Sequence, residues 1–222
     1  QSIAKSLNLK DAEDLEALRR RLHAMERDGQ LIHNRRNKYG LAKKMDLVSG
    51  RVISHPKGYG FLVPDEGGGD LFLSEKEMRS LMHGDRVLAN IIGVDYRGRR
   101  EGALVEVLER NTHEVVGRFY YKPNQGIAFV EPDNRRIPHR VLVDQKTQHK
   151  AKEGDIVVVK LIQQPTQDSP PIGEVIEIMG NQRAPGMETN IAIRAHELPH
   201  EWPAEVLAEL LEFAKDVPDS VV

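Results

Sequence analysis

Two hydrophobic periods divide the chain. Through residue 48 apolar positions recur at helical spacing; from residue 49 to about residue 180 they alternate. Leu15, Leu18, Leu22 and Met25 fall three or four residues apart, one apolar stripe of an amphipathic helix. Asp11 stands where an N-cap belongs and Gly29 where the helix stops. A shorter segment, "SIAKSLNL", precedes it, and Arg19, Arg20, Arg21 and Arg27 lie mostly off the stripe. "LIHNRRNKYGLAKK" predicts two short strands around a basic turn. Helix, longer helix and basic hairpin predict a small α+β winged helix-turn-helix over residues 1–48, the alternative being a small helical domain whose arginines are simply solvated.

The alternating stretch carries Gly and Pro punctuation at strand-and-turn intervals. It also restarts. "GRFYYKPNQGIAFVEPD" follows the pattern of "GRVISHPKGYGFLVPD", "KEGDIVVVKLI" that of "MHGDRVLANII", and "IGEVIEIMG" that of "EGALVEVLE". Gly50-Arg51 and Gly117-Arg118 lie 67 residues apart, and Gly84-Asp85 and Gly154-Asp155 lie 70 apart. Two tandem copies of one small all-β barrel, over 49–112 and 113–182, account for this most economically. Closing each barrel also removes exposed strand edges.

After Gly180 the texture changes again. "NQRAPGMETN" is linker-like, and "HEWPAEVLAELLEFAKD" predicts an amphipathic helix with Pro203 near its first turn and Val206, Leu207, Leu210 and Leu211 on one face. One helix cannot bury that face alone, so residues 183–222 read as the opening of a further, incomplete domain.

Composition narrows the function classes. The net charge of −2 argues against a chain that is basic throughout, but 33–44 holds five Lys/Arg and no acid, while 185–222 holds eight acids against two bases. No run of 18 apolar residues is present. The N-terminus lacks the apolar core of a signal peptide, and without an initiating Met the chain reads as a processed or truncated piece. Zero cysteines exclude disulfides and thiolate zinc sites and fit a cytoplasmic protein. "HELPH" at 196–200 matches a zinc-protease pattern, but Pro199 biases Leu198 away from helical angles and breaks the helix that pattern needs. The other seven histidines show no ligand spacing, and no phosphate loop occurs. We therefore expect no metal or cofactor site in this segment, and a monomer.

Candidate chemistry concentrates in "HPKGYGFLVPDEGGGDLFLSEKEM", residues 55–78. In an extended strand Lys57, Tyr59, Phe61 and Val63 share one face, and in the next strand so do Asp70, Phe72 and Ser74. With Leu62, Leu71 and Leu73 inside, Tyr59, Phe61 and Phe72 form an outer platform on which unpaired bases can stack, left unobstructed by the glycines. The competing reading makes the rings core and Lys57 incidental. "KGYGF" followed by "DLFLS" resembles the two RNA-binding motifs of the cold-shock domain, an OB-type barrel. That resemblance implies stacking by Tyr59, Phe61 and Phe72 and a phosphate or base contact by Lys57. Where family members carry His and another aromatic, this chain has Ser74 and Glu75.

The second copy keeps Phe129 but has no aromatic at the position corresponding to Tyr59. Arg135, Arg136, His139 and Arg140 fall where the second motif would be, which reads as a surface for backbone phosphates or, alternatively, as a spacer barrel with solvated arginines. The basic wing, with Arg35, Arg36 and Lys38, is the third candidate contact.

As a whole the chain resembles the N-terminal half of the ribonuclease R branch of the ribonuclease II family: winged helix, two cold-shock barrels, and "ETNIAIRAHELPHEWPAEVLAEL" as entry to a catalytic domain. The resemblance implies a hydrolytic 3′-to-5′ exoribonuclease acting on structured and single-stranded RNA and releasing nucleoside 5′-monophosphates. It implies Mg2+ held by an aspartate cluster that has no match here, so this segment is expected to bind and guide RNA without cutting it. Two rivals remain at this point: a non-enzymatic RNA chaperone built of cold-shock barrels, and a DNA-binding regulator using the winged helix.

Overall fold

The structure is a computed structural model describing residues 2–33, 38–122, 126–144, 146–147, 149–181, 184, 186–195, 198, 206 and 208. Helix α1 (Ser2–Ser6) leads into helix α2 (Ala12–Arg27), and strands β1 (Leu31–His33) and β2 (Tyr39–Leu41) pair antiparallel, Leu31 opposite Leu41. Asp11 occupies the N-cap with extended backbone angles but makes no side-chain capping bond. The far end of α2 is closed more firmly. Gln30 N–H donates to Met25 O at 2.9 Å and Gly29 N–H to Glu26 O at 2.8 Å, the paired bonds of a Schellman stop. Arg86 then caps remaining carbonyls from outside, donating to Arg27 O and Asp28 O while holding Asp65 at 2.8 Å. This single guanidinium staples the helical segment to the barrel that follows. Leu15, Leu18, Leu22 and Met25 are half-buried, which agrees with the stripe read from the sequence.

The first barrel comprises β3 (Leu47–Ser54), β4 (Gly60–Pro64), β5 (Leu71–Leu73), helix α3 (Glu75–Met78), β6 (Arg86–Val94) and β7 (Arg100–Glu109). Its strands run in the order β3-β4-β5-β7-β6, and β6 pairs back onto β3 to close it. The second comprises β8 (Glu114–Lys122), β9 (Ile127–Pro132), β10 (Val141–Val143), β11 (Asp155–Gln163) and β12 (Ile172–Asn181), in the equivalent circuit. In each, one parallel pairing interrupts an otherwise antiparallel sheet: β5 with β7, and β10 with β12.

The sequence repeat has a structural cause. A Cβ on Gly50 would run into the Val63 carbonyl, and one on Gly117 into the Glu131 carbonyl, so both positions admit only backbone. Gly84 and Gly154 adopt φ of 85° and 88°, and the following aspartate folds back in each copy: Asp85 accepts from Met82 N–H and Asp155 from Lys152 N–H, both at 2.9 Å. These are one turn built twice.

Val52, Leu62, Leu71, Leu73, Met78, Leu81 and Val87 fill the first barrel, and Val115, Phe119, Val130, Val141, Val157 and Val159 the second. The barrels meet through His139, whose Nε2 donates to Met78 O and Leu81 O at 3.1 and 2.9 Å, and through Gln167 Nε2 on Ser80 Oγ. Helix α4 (Met187–Ala195) begins inside the stretch that reads as linker in the sequence. Met187 and Ile191, one turn apart, pack on Val116, Ile156 and Val158 of the second barrel, and Arg194 pairs with Glu177 at 2.9 Å. Tertiary burial rather than local propensity makes this helix. Of the helix expected around Val206 to Leu211, Val206 and Ala208 are described and helical, and the remainder lies outside the described residues. The same holds for "HELPH" apart from Leu198.

Candidate nucleic-acid interface

Strand alternation sets the face of the first barrel. Leu62, Leu71 and Leu73 are fully buried, and Phe61 and Phe72, directly opposite each other across β4 and β5, point the other way and are half-buried. Their ring centroids lie 5.9 Å apart at 68°, and Tyr59 closes a triangle with both, 5.8 Å from Phe61 and 5.6 Å from Phe72. Edge-to-face packing of this kind holds rings in fixed orientations. Three rings stand together on the outer face, each with part of its surface open.

Three local expectations need correction. Lys57 does not lie on a strand with Tyr59: residues 55–58 form a turn, Gly58 N–H donating to His55 O at 2.9 Å, and β4 begins only at Gly60. Lys57 is exposed there, beside the platform rather than aligned with its rings. Gly60 does not serve to clear the platform either. It faces inward, where an added Cβ would lie 2.6 Å from Met78 Sδ, so it makes room for α3 beneath the sheet. And Ser74 and Glu75, at positions aromatic or histidine in cold-shock domains, start α3, Ser74 Oγ accepting from Glu77 N–H at 3.5 Å.

Two groups absent from the sequence reading complete the face. The turn at 55–58 folds His55 flat onto Tyr59, centroids 4.3 Å apart and 9° between planes, with Lys57 N–H donating to its Nδ1. From the other side the Arg99 guanidinium lies 4.5 Å from the Phe72 centroid. Arg99 is held by Asp95, which accepts its Nε–H at 2.7 Å and the amides of Arg97 and Arg99 at 2.9 and 2.8 Å. Partial burial pushes the Asp95 carboxyl up, but these bonds more than offset it and keep its pKa below the usual carboxylate range. The only sequence signal for His55 was its place four residues before Tyr59, and Arg99 had none, because the parallel register of β5 with β7 brings it there.

The remaining predicted residues do not form one site. Arg135 and Arg136 line a cleft of about 840 Å³ at the barrel junction, with His83, Asn111, Asp133 and Glu188. There desolvation, followed by the nearby Arg136 charge, lowers the His83 pKa against the opposing pull of Asp85. Its Nδ1 accepts from Ser54 N–H at 3.2 Å. Arg140 is elsewhere, its guanidinium 5.0 Å from the centroid of Phe129, with Lys122 Nζ 5.6 Å from the same ring. Phe129 stacks on Tyr120 at 5.3 Å, a pair the sequence reading missed because Tyr120 sits one strand over, opposite Phe129 in the register. Phe129 is only 8% exposed, so the aromatic pair acts as a floor under two cations. Lys38 is exposed at the edge of the wing; Arg35 and Arg36 lie outside the described residues.

Among the described residues no group of three or more His, Cys, Asp or Glu could hold a metal ion, and no helix is long and apolar enough to cross a membrane.

Comparison with known proteins gives the same domain order. Residues 1–53 match the family described as "Ribonuclease R winged-helix domain", 50–107 "Ribonuclease B OB domain", and 129–203 "Cold shock domain". The chain is 49% identical over 211 residues to Ribonuclease R of Acidithiobacillus ferrooxidans, covering 94% of this chain and 48% of that protein. It is 42% identical to Ribonuclease R of Escherichia coli, covering 98% and 26%. It thus spans half or less of the length of these relatives. Among solved structures, Mycoplasma genitalium RNase R in complex with ribose methylated single-stranded RNA superposes with a TM-score of 0.66 at 14% identity, covering 79% of this chain and 28% of that one. Yeast Ssd1, a pseudonuclease, superposes at 0.59 and 17% identity, covering 69% and 25%. At those identities the likeness speaks for the fold. The sequence identity to the ribonucleases, carried through winged helix, first barrel and second barrel in one order, matches this chain to the N-terminal region of proteins named Ribonuclease R.

Proposed function

We propose that this chain is the RNA-gripping front of a 3′-to-5′ exoribonuclease, and that the outer face of its first barrel holds single-stranded RNA by stacking. The observation that carries this is the three-ring cluster of Tyr59, Phe61 and Phe72, half-open to solvent and flanked by the His55 ring and the Arg99 guanidinium. A base presents a π-face whatever its identity, so the platform grips without selecting sequence. Exposed Lys57 supplies charge for the phosphate between stacked bases. Arg140 and Lys122 over Phe129, and Arg135 and Arg136 at the junction cleft, continue as backbone contacts. Lys38, with Arg35 and Arg36, serves the approach of structured RNA.

Hydrolysis belongs in this reading to a catalytic domain that residues 183–222 begin. The Mg2+ the family implies finds no carboxylate cluster among the described residues, so no chemical step is assigned to them. The fold alone does not decide for a nuclease, since a pseudonuclease shares it. Identity to proteins named Ribonuclease R favours the enzyme over a free-standing RNA chaperone.

Competition binding tests the reading. The chain should bind a labelled single-stranded RNA and keep it against an excess of blunt duplex DNA of equal length. Displacement of the RNA by the duplex would instead favour a regulator acting through the winged helix.

A further inference from the structure

The two barrels meet along one short segment of the first, residues 78–83 between α3 and β6. His139 Nε2 reaches Met78 O and Leu81 O at 3.1 and 2.9 Å, and Gln167 Nε2 donates to Ser80 Oγ at 3.2 Å. A ring nitrogen facing two carbonyls must carry a proton, which fixes the His139 tautomer. The connection between β7 and β8, residues 110–113, is pinned to the same segment. Arg110 Nη1 donates to Ser80 O at 2.9 Å and Thr112 Oγ1 to His83 O at 3.4 Å. From the second barrel, Gln164 Nε2 donates to Thr112 O at 2.8 Å and Leu161 N–H to His113 O at 2.8 Å. Adjacent domains of one chain move against each other by default, and this polar junction opposes that motion. It also stands between the two aromatic faces. On one side β5, which carries Phe72, runs through α3 straight into Met78, whose sulfur packs beneath Gly60, the neighbour of Phe61. On the other, Arg140, the residue after His139, lies over the Phe129 ring.

We propose that His139 is a positioning residue: without touching RNA, it latches the two barrels so that one strand is gripped on both faces at once. This rests on the proposed function above, which supplies the two faces. Two linked sites held in register bind a spanning ligand more tightly than either alone, with no new contact. When the docked arrangement is only partly populated, the affinity for a spanning ligand falls in proportion. A ligand that fits within one barrel is indifferent to the latch.

The test compares oligouridylates of about 6 and about 24 nucleotides, the first within reach of one OB barrel and the second long enough for two. Affinities are measured for the unaltered chain, His139→Ala, His139→Gln and the Tyr59→Ala, Phe61→Ala, Phe72→Ala variant. Hydrogen exchange on the same samples reports whether β3 to β7 and β8 to β12 stay protected. His139→Ala should leave the short RNA's affinity and both barrels' protection unchanged. It should weaken the long RNA about tenfold, the loss expected when the docked arrangement drops to about a tenth of the population. His139→Gln brings an amide N–H to the same carbonyls and should recover most of that loss. If His139→Ala matches the unaltered chain at both lengths, the latch is overturned. It is overturned equally by parallel losses at both lengths with protection gone from β8 to β12, which would make His139 a support of the fold alone. In either case the platform stands if the triple variant loses the short RNA. A triple variant that keeps the short RNA sinks the platform instead, and a loss confined to long RNA in His139→Ala would still uphold the latch, acting on another surface of the first barrel.

Discussion

Replacing Tyr59, Phe61 and Phe72 together by alanine is expected to weaken binding of single-stranded RNA by roughly 30- to 700-fold. Stacking on an aromatic side chain is worth about 1–3 kcal/mol per base. The three rings lie within 6 Å of one another, so they act as one surface that seats two bases or so rather than three independent ones. Because the rings are half-buried, each base takes the lower part of that range, about 1–2 kcal/mol, and two together give about 2–4 kcal/mol, hence the range. Dispersion and desolvation carry stacking, so the loss should persist when salt is raised, while the slope of affinity against salt stays as it was. Substituting Arg140 and Lys122 should do the reverse, flattening the slope with a smaller loss at high salt. The triple variant should fold, because Leu62, Leu71 and Leu73 hold the interior and the rings stand outside it. Anisotropy titrations at two salt concentrations, with thermal melts on the same samples, separate the cases.

The second large effect concerns the fold that carries this face. Asp85→Ala is expected to cost the first barrel about 3–5 kcal/mol, the range for removing one partner of a buried ion pair. Asp85 is fully buried. One carboxylate oxygen accepts from Met82 N–H at 2.9 Å and Arg110 Nη1 at 2.8 Å, the other from Asn111 N–H at 3.0 Å. Alanine strands two amides at once and removes the counter-charge of the Arg110 guanidinium, which keeps its bond to Ser80 O. Asn restores the shape but not the function, because its amide must turn a donor toward groups that are already donors. Both variants should lose hydrogen-exchange protection across β3 to β7 while β8 to β12, closed by the separate Asp155 turn, keep theirs. Equal loss in both barrels would show that they fold as one unit, coupled through His139 and Gln167 at their junction.

Much of this was legible along the chain because β-structure writes its faces in alternate residues. The period of two placed Leu62, Leu71 and Leu73 inside and Phe61 and Phe72 outside. The recurring Gly-Arg and Gly-Asp pairs announced two copies, since each marks a spot where backbone meets backbone or the chain must take a positive φ. What stayed hidden was whatever long-range register brings together. Arg99 reaches Phe72 only because β7 runs parallel beside β5, and Tyr120 meets Phe129 only through the antiparallel register of β8 with β9. Lys57 was misplaced for a simpler reason: alternation was extended through the turn at 55–58, where it does not hold. Helix α4 was missed because the "NQRAPG" leading into it reads as linker, and the helix is ordered by the burial of Met187 and Ile191 on the second barrel.

The most direct test of the central claim is to cross-link RNA to the unaltered chain and read the attachment points. A single-stranded RNA carrying photoreactive 4-thiouridines would be irradiated in complex with the chain, and the adducts located by peptide mass spectrometry. Stacking on the first barrel predicts adducts at Tyr59, Phe61 and Phe72, in the peptides containing β4 and β5. Adducts confined to the wing or to the second barrel, with those peptides unmodified, would contradict it.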